Sequence, residues 1–568
     1  MAGTFITPTA IKKDFEIQGK VCAEVIKESV SRGISATHLR IHGRKTGSGE
    51  VGIYGVLTRK AQLTIAPAIL IVQDFTDGAD TTLARYFVDK GYVTLTVDLA
   101  GATGFNLQRE VKGVYQPYTL YPEDVSYAVY DSETENKTVA EDVRFTCWYE
   151  WGRVIRYAAA YLTQQPSITK AGVIGIGAAA TPLWQVLSVE SGISAAVVVG
   201  NAGWKGYRGI LKFGDEPEPQ FGDDALKYLA GVEPQAYASH VKCPLMLLAP
   251  TNSPVFDLDR AYDTVQRVSD KIYTATDYSV GGRTEVSYEC FCGAAVFLDA
   301  FLLKDERALA GEIGVKCNVA DGKIVIEVTP DVNGLKELCV YVAEEELNPA
   351  LRAWRKVVGV ASEKKGTYFF EYTPYGASGA ITFFARAGYD DGMHVCSGVV
   401  CRKFGVNEAG RSDKRRVLYS SLVPDVESAF YPLTENASAP SGINLDKRAG
   451  VKVKNGPSDL SGITCDAGIL TFRVNAKKYK PTQGAMFMVD ACVKEGGTFY
   501  VTATTDYYGQ KTEYVAQIKV FADLWQNVKI EAGNFKTAEG KSLKSYDNVQ
   551  VLSFSADGEF LINNLLWV

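Results

Sequence analysis

Histidine is scarce in this chain of 568 residues. There are four, His38, His42, His240 and His394. Hydrolases that use a serine or cysteine nucleophile usually need a histidine to accept its proton. Any mechanism of that kind is therefore limited to these four side chains.

An excess of positive charge and long apolar runs are also missing. The net charge is −6 and the isoelectric point is about 5.6, so no basic footprint favours a nucleic acid or an anionic membrane as partner. No stretch approaches the roughly 18 uninterrupted apolar residues of a membrane-spanning helix. The first 20 residues lack a basic segment followed by an apolar core. We therefore expect a soluble cytoplasmic protein, unless a secretory leader has been removed.

The eleven cysteines show neither CxxC nor Cys/His spacing, so no metal site and no cofactor are predicted. Their odd number and their positions in apolar runs favour reduced core thiols over a disulfide framework. Asp390-Asp391-Gly392 indicates a turn between strands, with calcium binding as the weaker alternative.

What is present first is an alternation of buried strands and helices. "PAILIVQDF" and "YVTLTVDLAG" are apolar runs of strand length, and the amphipathic "TTLARYFVDKG" lies between them. Such alternation predicts a parallel sheet covered on both faces. We assign residues 1–310 to one α/β domain, with antiparallel strands at its N-terminus and a Tyr-rich insertion at 105–140.

The later part of the chain loses the helical period. Short alternating strands over 311–405, such as "KIVIEVTPD" and "AITFFARAGYDDG", predict an immunoglobulin-like β-sandwich. Residues 406–568 begin with a basic joint and continue in strands, which predicts a second, larger sandwich of the jelly-roll type.

One stretch, "AGVIGIGAAATPLWQ", indicates a strand, a sharp turn and a helix. This is the layout of a nucleophile elbow, in which a serine stands at the middle of the turn. The middle residue here is Gly177, which offers no nucleophile. Two interpretations stay open: the turn is a ligand floor with backbone amides at Ala178 and Ala179, or it keeps small residues for close packing of helix on strand.

Residues 50–305 resemble the α/β-hydrolase fold, specifically the branch of dienelactone hydrolases and acyl esterases. The segments that carry the resemblance, in the order of that family, are "AILIVQDFTDG", "ARYFVDKGYVTLTVDLAG", "CWYEWGRVIRYAAAYL", "AGVIGIGAAA" and "KCPLMLLAPTNSPVF". The last 150 residues resemble carbohydrate-binding modules of the jelly-roll type through "LWQNVKI", Phe535 and "FLINNLLWV".

The resemblance implies positions for a catalytic triad, and this sequence departs from the pattern at each of them. Gly177 replaces the nucleophile, and Asn252-Ser253-Pro254 stands where the family has its acid. The loop expected to carry the histidine has Arg283. The positions of the oxyanion hole read Gln73-Asp74, where a carboxylate would repel a developing oxyanion. Asp257 and Asp259 follow the acid position and could replace it only if the loop bends differently.

Other side chains are candidates for ligand binding. Gly177, Ala178 and Asp74 surround the elbow, and aromatic faces that suit sugar rings are offered by Trp148, Tyr149, Trp204 and Trp525. The alternative for the aromatic insertion is a lid packed on its own core, and for Trp525 and Trp567 it is a place in a core.

The preferred hypothesis is a pseudo-hydrolase without catalytic residues that binds a ligand, plausibly a saccharide or another small molecule, or serves as an assembly subunit. One alternative is a carboxylesterase or deacetylase that acts on acylated carbohydrate through an unidentified nucleophile. Another is a scaffold for homo-oligomerisation. Fold alone does not decide among these hypotheses.

Overall fold

The computed structural model describes residues 5–110, 114–131, 139, 141–303, 309–320, 322–357, 360–374, 379–405, 416–422, 429–433, 442–445 and 450–568. Within those residues, no helix is both long enough and apolar enough to span a membrane.

The N-terminal part forms a nine-stranded mixed sheet in the order β1-β2-β3-β5-β4-β6-β7-β8-β9. Its first strands pair antiparallel, and from β5 onward in that order every pair is parallel. The strands are β1 (Ala23–Ser31), β2 (Ile34–Lys45), β3 (Glu50–Lys60), β4 (Ala66–Val72), β5 (Val93–Val97), β6 (Ile168–Ile176), β7 (Ile193–Val199), β8 (Leu245–Pro250) and β9 (Thr274–Ser279). The predicted α/β core with antiparallel strands at its N-terminus is confirmed.

Helices cover both faces of this sheet because its central strands are apolar on both sides. In β4, Leu70 and Val72 join the core beneath α4 and α5, whereas Ile69 and Ile71 join the core beneath α2 and α9. The helices are α1 (Pro8–Asp14), α2 (Thr82–Asp89), α3 (Gly104–Leu107), α4 (Cys147–Thr163), α5 (Ala180–Val189), α6 (Asp223–Gly231), α7 (Pro234–Tyr237), α8 (Leu258–Val265) and α9 (Tyr288–Leu302).

Residues 309–405, here called the middle β region, form two antiparallel sheets. One has the order β11-β12-β16-β15, and the other has the order β14-β13-β17-β18 with β19 also on β17. The strands are β11 (Gly314–Ala320), β12 (Lys323–Thr329), β13 (Leu335–Glu344), β14 (Arg355–Val357), β15 (Ser362–Lys364), β16 (Thr367–Tyr372), β17 (Gly379–Tyr389), β18 (His394–Cys396) and β19 (Val400–Phe404). Its core is continuous with the core under α2 and α9.

Residues 416–568, the C-terminal β region, form two further sheets of six and five strands. A short parallel pair joins this region to β10 (Glu285–Val286), in the loop after β9. The strands are β20 (Val417–Tyr419), β21 (Tyr431–Pro432), β22 (Gly442–Ile443), β23 (Lys452–Asn455), β24 (Ser461–Thr464), β25 (Ile469–Thr471), β26 (Phe487–Val493), β27 (Gly497–Thr505), β28 (Thr512–Val520), β29 (Gln526–Ile530), β30 (Val549–Ala556) and β31 (Phe560–Trp567).

The expectation that both later regions consist of antiparallel β-sheets is confirmed. The finer assignments, immunoglobulin-like for the first and jelly-roll for the second, stay predictions, as do the domain limits at 310/311 and 405/406. Of the predicted basic joint at 407–416, residues 407–415 lie outside the described residues.

Two buried ion pairs hold the middle β region on the α/β sheet. The Arg352 guanidinium meets the Asp259 carboxylate with both nitrogens, at 2.5 and 2.6 Å, and both side chains are almost completely excluded from solvent. Arg386 meets Asp277, at the carboxyl end of β9, at 2.8 and 3.2 Å. Burial alone would raise the pKa of the Asp277 carboxyl, but the Arg386 guanidinium outweighs burial and lowers that pKa.

Removing one partner of such a pair leaves the other charge buried and uncompensated. We expect Arg352→Met to lower the free energy of unfolding by about 3–5 kcal/mol, measured by urea denaturation at neutral pH. The double variant Asp259→Asn/Arg352→Met removes both charges, so we expect its free energy of unfolding to fall by less than that of the single variant.

The matched control is Lys323→Gln, because Lys323 pairs with Glu371 in solvent. Its expected cost is at most about 1 kcal/mol. Equal costs for Arg352→Met and Lys323→Gln would contradict a special role for the buried pair.

Candidate functional site

A cavity of about 470 Å³ opens at the carboxyl ends of β6, β7 and β8. Gly177, Gly200 and Ser253, which follow those strands, contribute to its lining. The middle β region adds residues 348–350 and the C-terminal β region adds Tyr508. Sheets of this kind bind ligands in the crevice beyond the carboxyl ends of their strands. The cavity is therefore the candidate site, and all three regions of the chain build it.

The turn after β6 has the backbone of an elbow without its nucleophile. Gly177 adopts φ +63°, a left-handed conformation that glycine reaches without a steric penalty. Ala178 and Ala179 follow in a short 3₁₀ turn that leads into α5. The predicted strand, turn and helix are all present, and both Gly177 and Ala178 line the cavity.

Asp74, after the end of β4, closes the elbow from below. Its carboxylate is 1% exposed, and its Oδ2 accepts the backbone N–H of Ala178 at 3.1 Å. Its Oδ1 accepts the N–H of Phe75 at 2.7 Å. The neighbouring Gln73 side chain donates to the Asp80 carbonyl and so points to its own loop. Because the Ala178 amide already binds a carboxylate, a ligand oxygen could use it only by displacing Asp74.

Asn252 and Ser253, where the resemblance implies an acid, lie at the contact between the three regions. The side-chain amide of Asn252 donates to the backbone carbonyls of Arg352 at 2.8 Å and Ala350 at 3.3 Å. The backbone carbonyl of Asn252 accepts a hydrogen bond from the Tyr508 hydroxyl at 2.7 Å. Ser253 is 4% exposed, lines the cavity, and accepts the Val255 N–H at 3.3 Å. No ionised side chain stands at either position.

The base position also faces the C-terminal β region. The Arg283 guanidinium carbon lies 4.8 Å from the centre of the Tyr507 ring. Every histidine of the chain is described, and none lines the cavity. His38 meets the Tyr54 hydroxyl, His42 meets Glu50, His240 meets Ser239 and His394 lies 3.5 Å from Glu289.

Trp204 lines the cavity in a strained conformation. Its φ of +65° is unusual for a bulky residue and costs about 1–3 kcal/mol, so it persists only where the surroundings enforce it. Its backbone N–H donates to Gln235 at 3.2 Å and its indole N–H to Thr264 at 2.8 Å. The Arg260 and Arg267 guanidinium groups lie 5.7 and 5.1 Å from its ring. The ring is thus fixed before any ligand arrives.

Asp257 caps α8 at the edge of the cavity. Its carboxylate accepts the backbone N–H groups of Asp259 and Arg260, and Arg260 Nε lies 3.2 Å away. Burial, followed by the nearby Asp259 carboxylate, raises the pKa of Asp257 to about 6, although Arg260 opposes this shift.

Three of the aromatic candidates lie elsewhere. Trp148 and Tyr149 are buried in the core of α4, where Trp148 packs on Phe75 and Tyr149 donates its hydroxyl to Asp14. Neither of them is among the residues that line the cavity. Trp525 is half-buried in the C-terminal β region and donates its indole N–H to Pro457. Trp567 is in the core of that region.

The described part of the Tyr-rich insertion packs on the α/β core. The Tyr130 ring stacks on Phe75 with 4.7 Å between ring centres, and the Tyr121 hydroxyl donates to the Leu99 carbonyl. Residues 111–113, 132–138 and 140 of the insertion lie outside the described residues. This packing favours the lid interpretation over an open aromatic platform.

Sequence reasoning missed several lining residues. Lys205 and Tyr207 lie one and three residues after the candidate Trp204. This closeness in sequence was the one available signal that they belong to the same site. Tyr508 and residues 348–350 carry no local signal, because only the docking of the β regions brings them to the sheet.

No family model matches this sequence, and no curated protein matches it. Among solved structures, a cold-adapted esterase from an Arctic intertidal metagenomic library is similar at 13% identity, covering 49% of this chain and 97% of that one, with a TM-score of 0.31. Acetyl xylan esterase 1 from Thermoanaerobacterium sp. is similar at 12% identity, covering 54% and 96%, with a TM-score of 0.35. A dienelactone hydrolase-like promiscuous phosphotriesterase from metagenomic libraries is similar at 15% identity, covering 44% of this chain and 82% of that one, with a TM-score of 0.28. At this distance none of them indicates what this chain binds or transforms.

The raised pKa of Asp257 predicts a pH dependence of stability. Its pKa of about 6 in the folded protein exceeds the ordinary 3.8. The protonated carboxyl therefore makes its full contribution to the free energy of unfolding below about pH 4, and this contribution is lost as the pH rises through 6. Asp257→Asn keeps a good helix cap and removes the titration. As the pH rises from 4 to 7, we expect the free energy of unfolding of the variant to increase by about 2 kcal/mol relative to that of wild type.

Urea denaturation at a series of pH values measures this gain. Asp89→Asn, a change at an exposed carboxyl, is the control and should follow the wild-type curve. A constant difference between Asp257→Asn and wild type across that range would mean that the carboxyl titrates normally.

Proposed function

We propose that this chain is a catalytically inactive protein with an α/β-hydrolase fold, a pseudo-hydrolase, that binds a saccharide in the cavity at its elbow. The observation that carries the proposal is the bond between the Asp74 carboxylate and the Ala178 amide. In acyl transfer by this fold, the amide after the nucleophile stabilises the oxyanion. Here that amide is bound to a negative charge of the protein itself.

The positions of the triad support the same proposal. Gly177 has no side chain to attack an ester, Asn252 is bonded to both β regions, and Arg283 lies against Tyr507. Replacing any one of them with a catalytic side chain would leave the others in structural roles. The triad therefore cannot be restored at one position.

A saccharide suits the lining of the cavity. Sugar rings bind through stacking of their C–H faces on aromatic rings and through hydrogen bonds to fixed polar groups. Trp204, Tyr207 and Tyr508 supply aromatic rings at the cavity, and Lys205 and Asn201 supply polar side chains. The volume of the cavity, about 470 Å³, lies in the range of small-ligand sites.

The second candidate function is an esterase or deacetylase acting on acylated carbohydrate. It is favoured by one observation: Ser253 and Asp257 line the same cavity, and the pKa of Asp257, raised by burial to about 6, suits a general base. In that mechanism Ser253 would be the nucleophile, without a histidine between it and the carboxylate.

Hydrolysis of short-chain p-nitrophenyl esters separates the two functions. We expect wild type to be indistinguishable from buffer, and Gly177→Ser and Asp74→Ala each to remain inactive, because each restores one element of several. Turnover by wild type that is lost in Ser253→Ala and Asp257→Asn would establish the esterase function instead. Turnover that survives all four changes would place the chemistry outside this cavity.

Binding of oligosaccharides, measured by titration calorimetry, tests the site directly. We expect Tyr207→Ala to weaken binding about tenfold, since a stacked aromatic ring contributes about 1 kcal/mol beyond its buried area. Trp525→Ala is the matched control, because it removes an aromatic ring in the C-terminal β region away from the cavity. The reverse result would assign saccharide binding to the C-terminal β region.

A further inference from the structure

One wall of the cavity carries three cationic side chains from a single segment. Lys205, Arg208 and Lys212 lie within eight residues of one another and all contribute to the lining. The wall belongs to the irregular chain between β7 and α6, where a 3₁₀ turn over Lys205–Tyr207 holds the first of them.

Only one of these cations is neutralised by a carboxylate. Lys212 Nζ lies 2.8 Å from Asp263 and also donates to the Asp259 carbonyl. Among the described residues, Lys205 and Arg208 have no carboxylate within 4.0 Å. The Lys205 ammonium lies 4.5 Å from the centre of a Trp148 ring, and Arg208 donates to the Pro254 carbonyl at 3.4 Å.

Three carboxyl groups, those of Asp257, Glu216 and Glu233, lie at or near the same cavity. Asp257 is already bonded to Arg260 and to two backbone amides. Glu216 also lines the cavity and is exposed to solvent, as is Arg208, so solvent screens both charges. Glu233 is fully buried behind the Trp204 turn, and burial raises the pKa of its carboxyl although Lys205 opposes this.

The elbow, whose residues Gly177 and Ala178 line the cavity, lies over a carboxylate. Asp74 lies beneath Ala178 with its carboxylate directed at the elbow amide. A negative group on a ligand would be repelled from the elbow and attracted to Lys205 and Arg208. The charges therefore define a direction across the cavity.

We propose that the saccharide bound here carries an anionic group, a carboxylate or a phosphate, and that Lys205 and Arg208 hold it. This inference rests on the proposed saccharide function and adds the chemical class of the ligand. Arginine can form two parallel hydrogen bonds with a carboxylate or a phosphate, and lysine adds a point charge. The neutral part of the ligand would then lie towards Trp204 and the elbow.

Titration calorimetry of the full chain with matched sugars tests the proposal. The probes are tri-galacturonic acid and the neutral α-1,4-linked galactotriose, which differ only at the C6 carboxylates, with galactose 6-phosphate against galactose as the second pair. The variants are Lys205→Gln and Arg208→Gln, and Lys529→Gln, at an exposed position of β29, is the control. Each titration is done at low and at high salt.

We expect wild type to bind at least one acidic probe about tenfold more tightly than its neutral partner, and high salt to reduce this preference. Lys205→Gln and Arg208→Gln should each remove most of the preference, because they weaken binding of the acidic probe more than binding of its neutral partner, whereas Lys529→Gln should behave as wild type. Which acidic probe is preferred identifies the carboxylate or the phosphate as the anionic group.

Two results would overturn the inference, and they differ in what else they affect. Equal affinity for acidic and neutral probes, unchanged by Lys205→Gln and Arg208→Gln, would reject the anionic ligand and leave saccharide binding in place. Absence of binding by all four probes would reject both the anionic ligand and the saccharide function.

Discussion

The ion pair between Asp259 and Arg352 is the contact on which the candidate site depends. Two bonds of 2.5 and 2.6 Å join charges that are both removed from water, so neither group can leave without a large desolvation cost. Arg352 directly follows the residues of the middle β region that line the cavity. Asp259 lies two residues after Asp257 at the start of α8. The pair therefore fixes two walls of the cavity relative to each other.

Contacts with the β regions also involve the positions at which the resemblance implies a catalytic triad. Asn252 donates to two carbonyls of the middle β region and receives a hydrogen bond from Tyr508, while Arg283 lies on Tyr507. A catalytic acid and base need to orient towards a nucleophile, whereas these side chains face the two β regions. The side chains at these positions thus take part in attaching the β regions.

Much of the fold followed from local patterns. The apolar runs of β4 and β5, the helix between them, and the strand, turn and helix around Gly177 are all where the periodicity predicts them, because burial on two faces requires continuous apolar strands. The same patterns were insufficient for Trp148 and Tyr149. Aromatic residues at the start of a helix suit a ligand platform and a core equally, and only the packing of α4 on the sheet decided for the core.

The sequence by itself determined that a glycine stands at the elbow and that none of the four histidines falls in the loop of Arg283. These are properties of residue identity, and no folding can supply the missing groups. Only the tertiary structure decided that Asp74 binds the Ala178 amide, and that Lys205 and Tyr508 share a cavity. Such contacts join segments far apart in the chain: pairing of β4 with β6 brings Asp74 near Ala178, and docking of the C-terminal β region brings Tyr508 to the cavity. Short-range spacing carries no information about either.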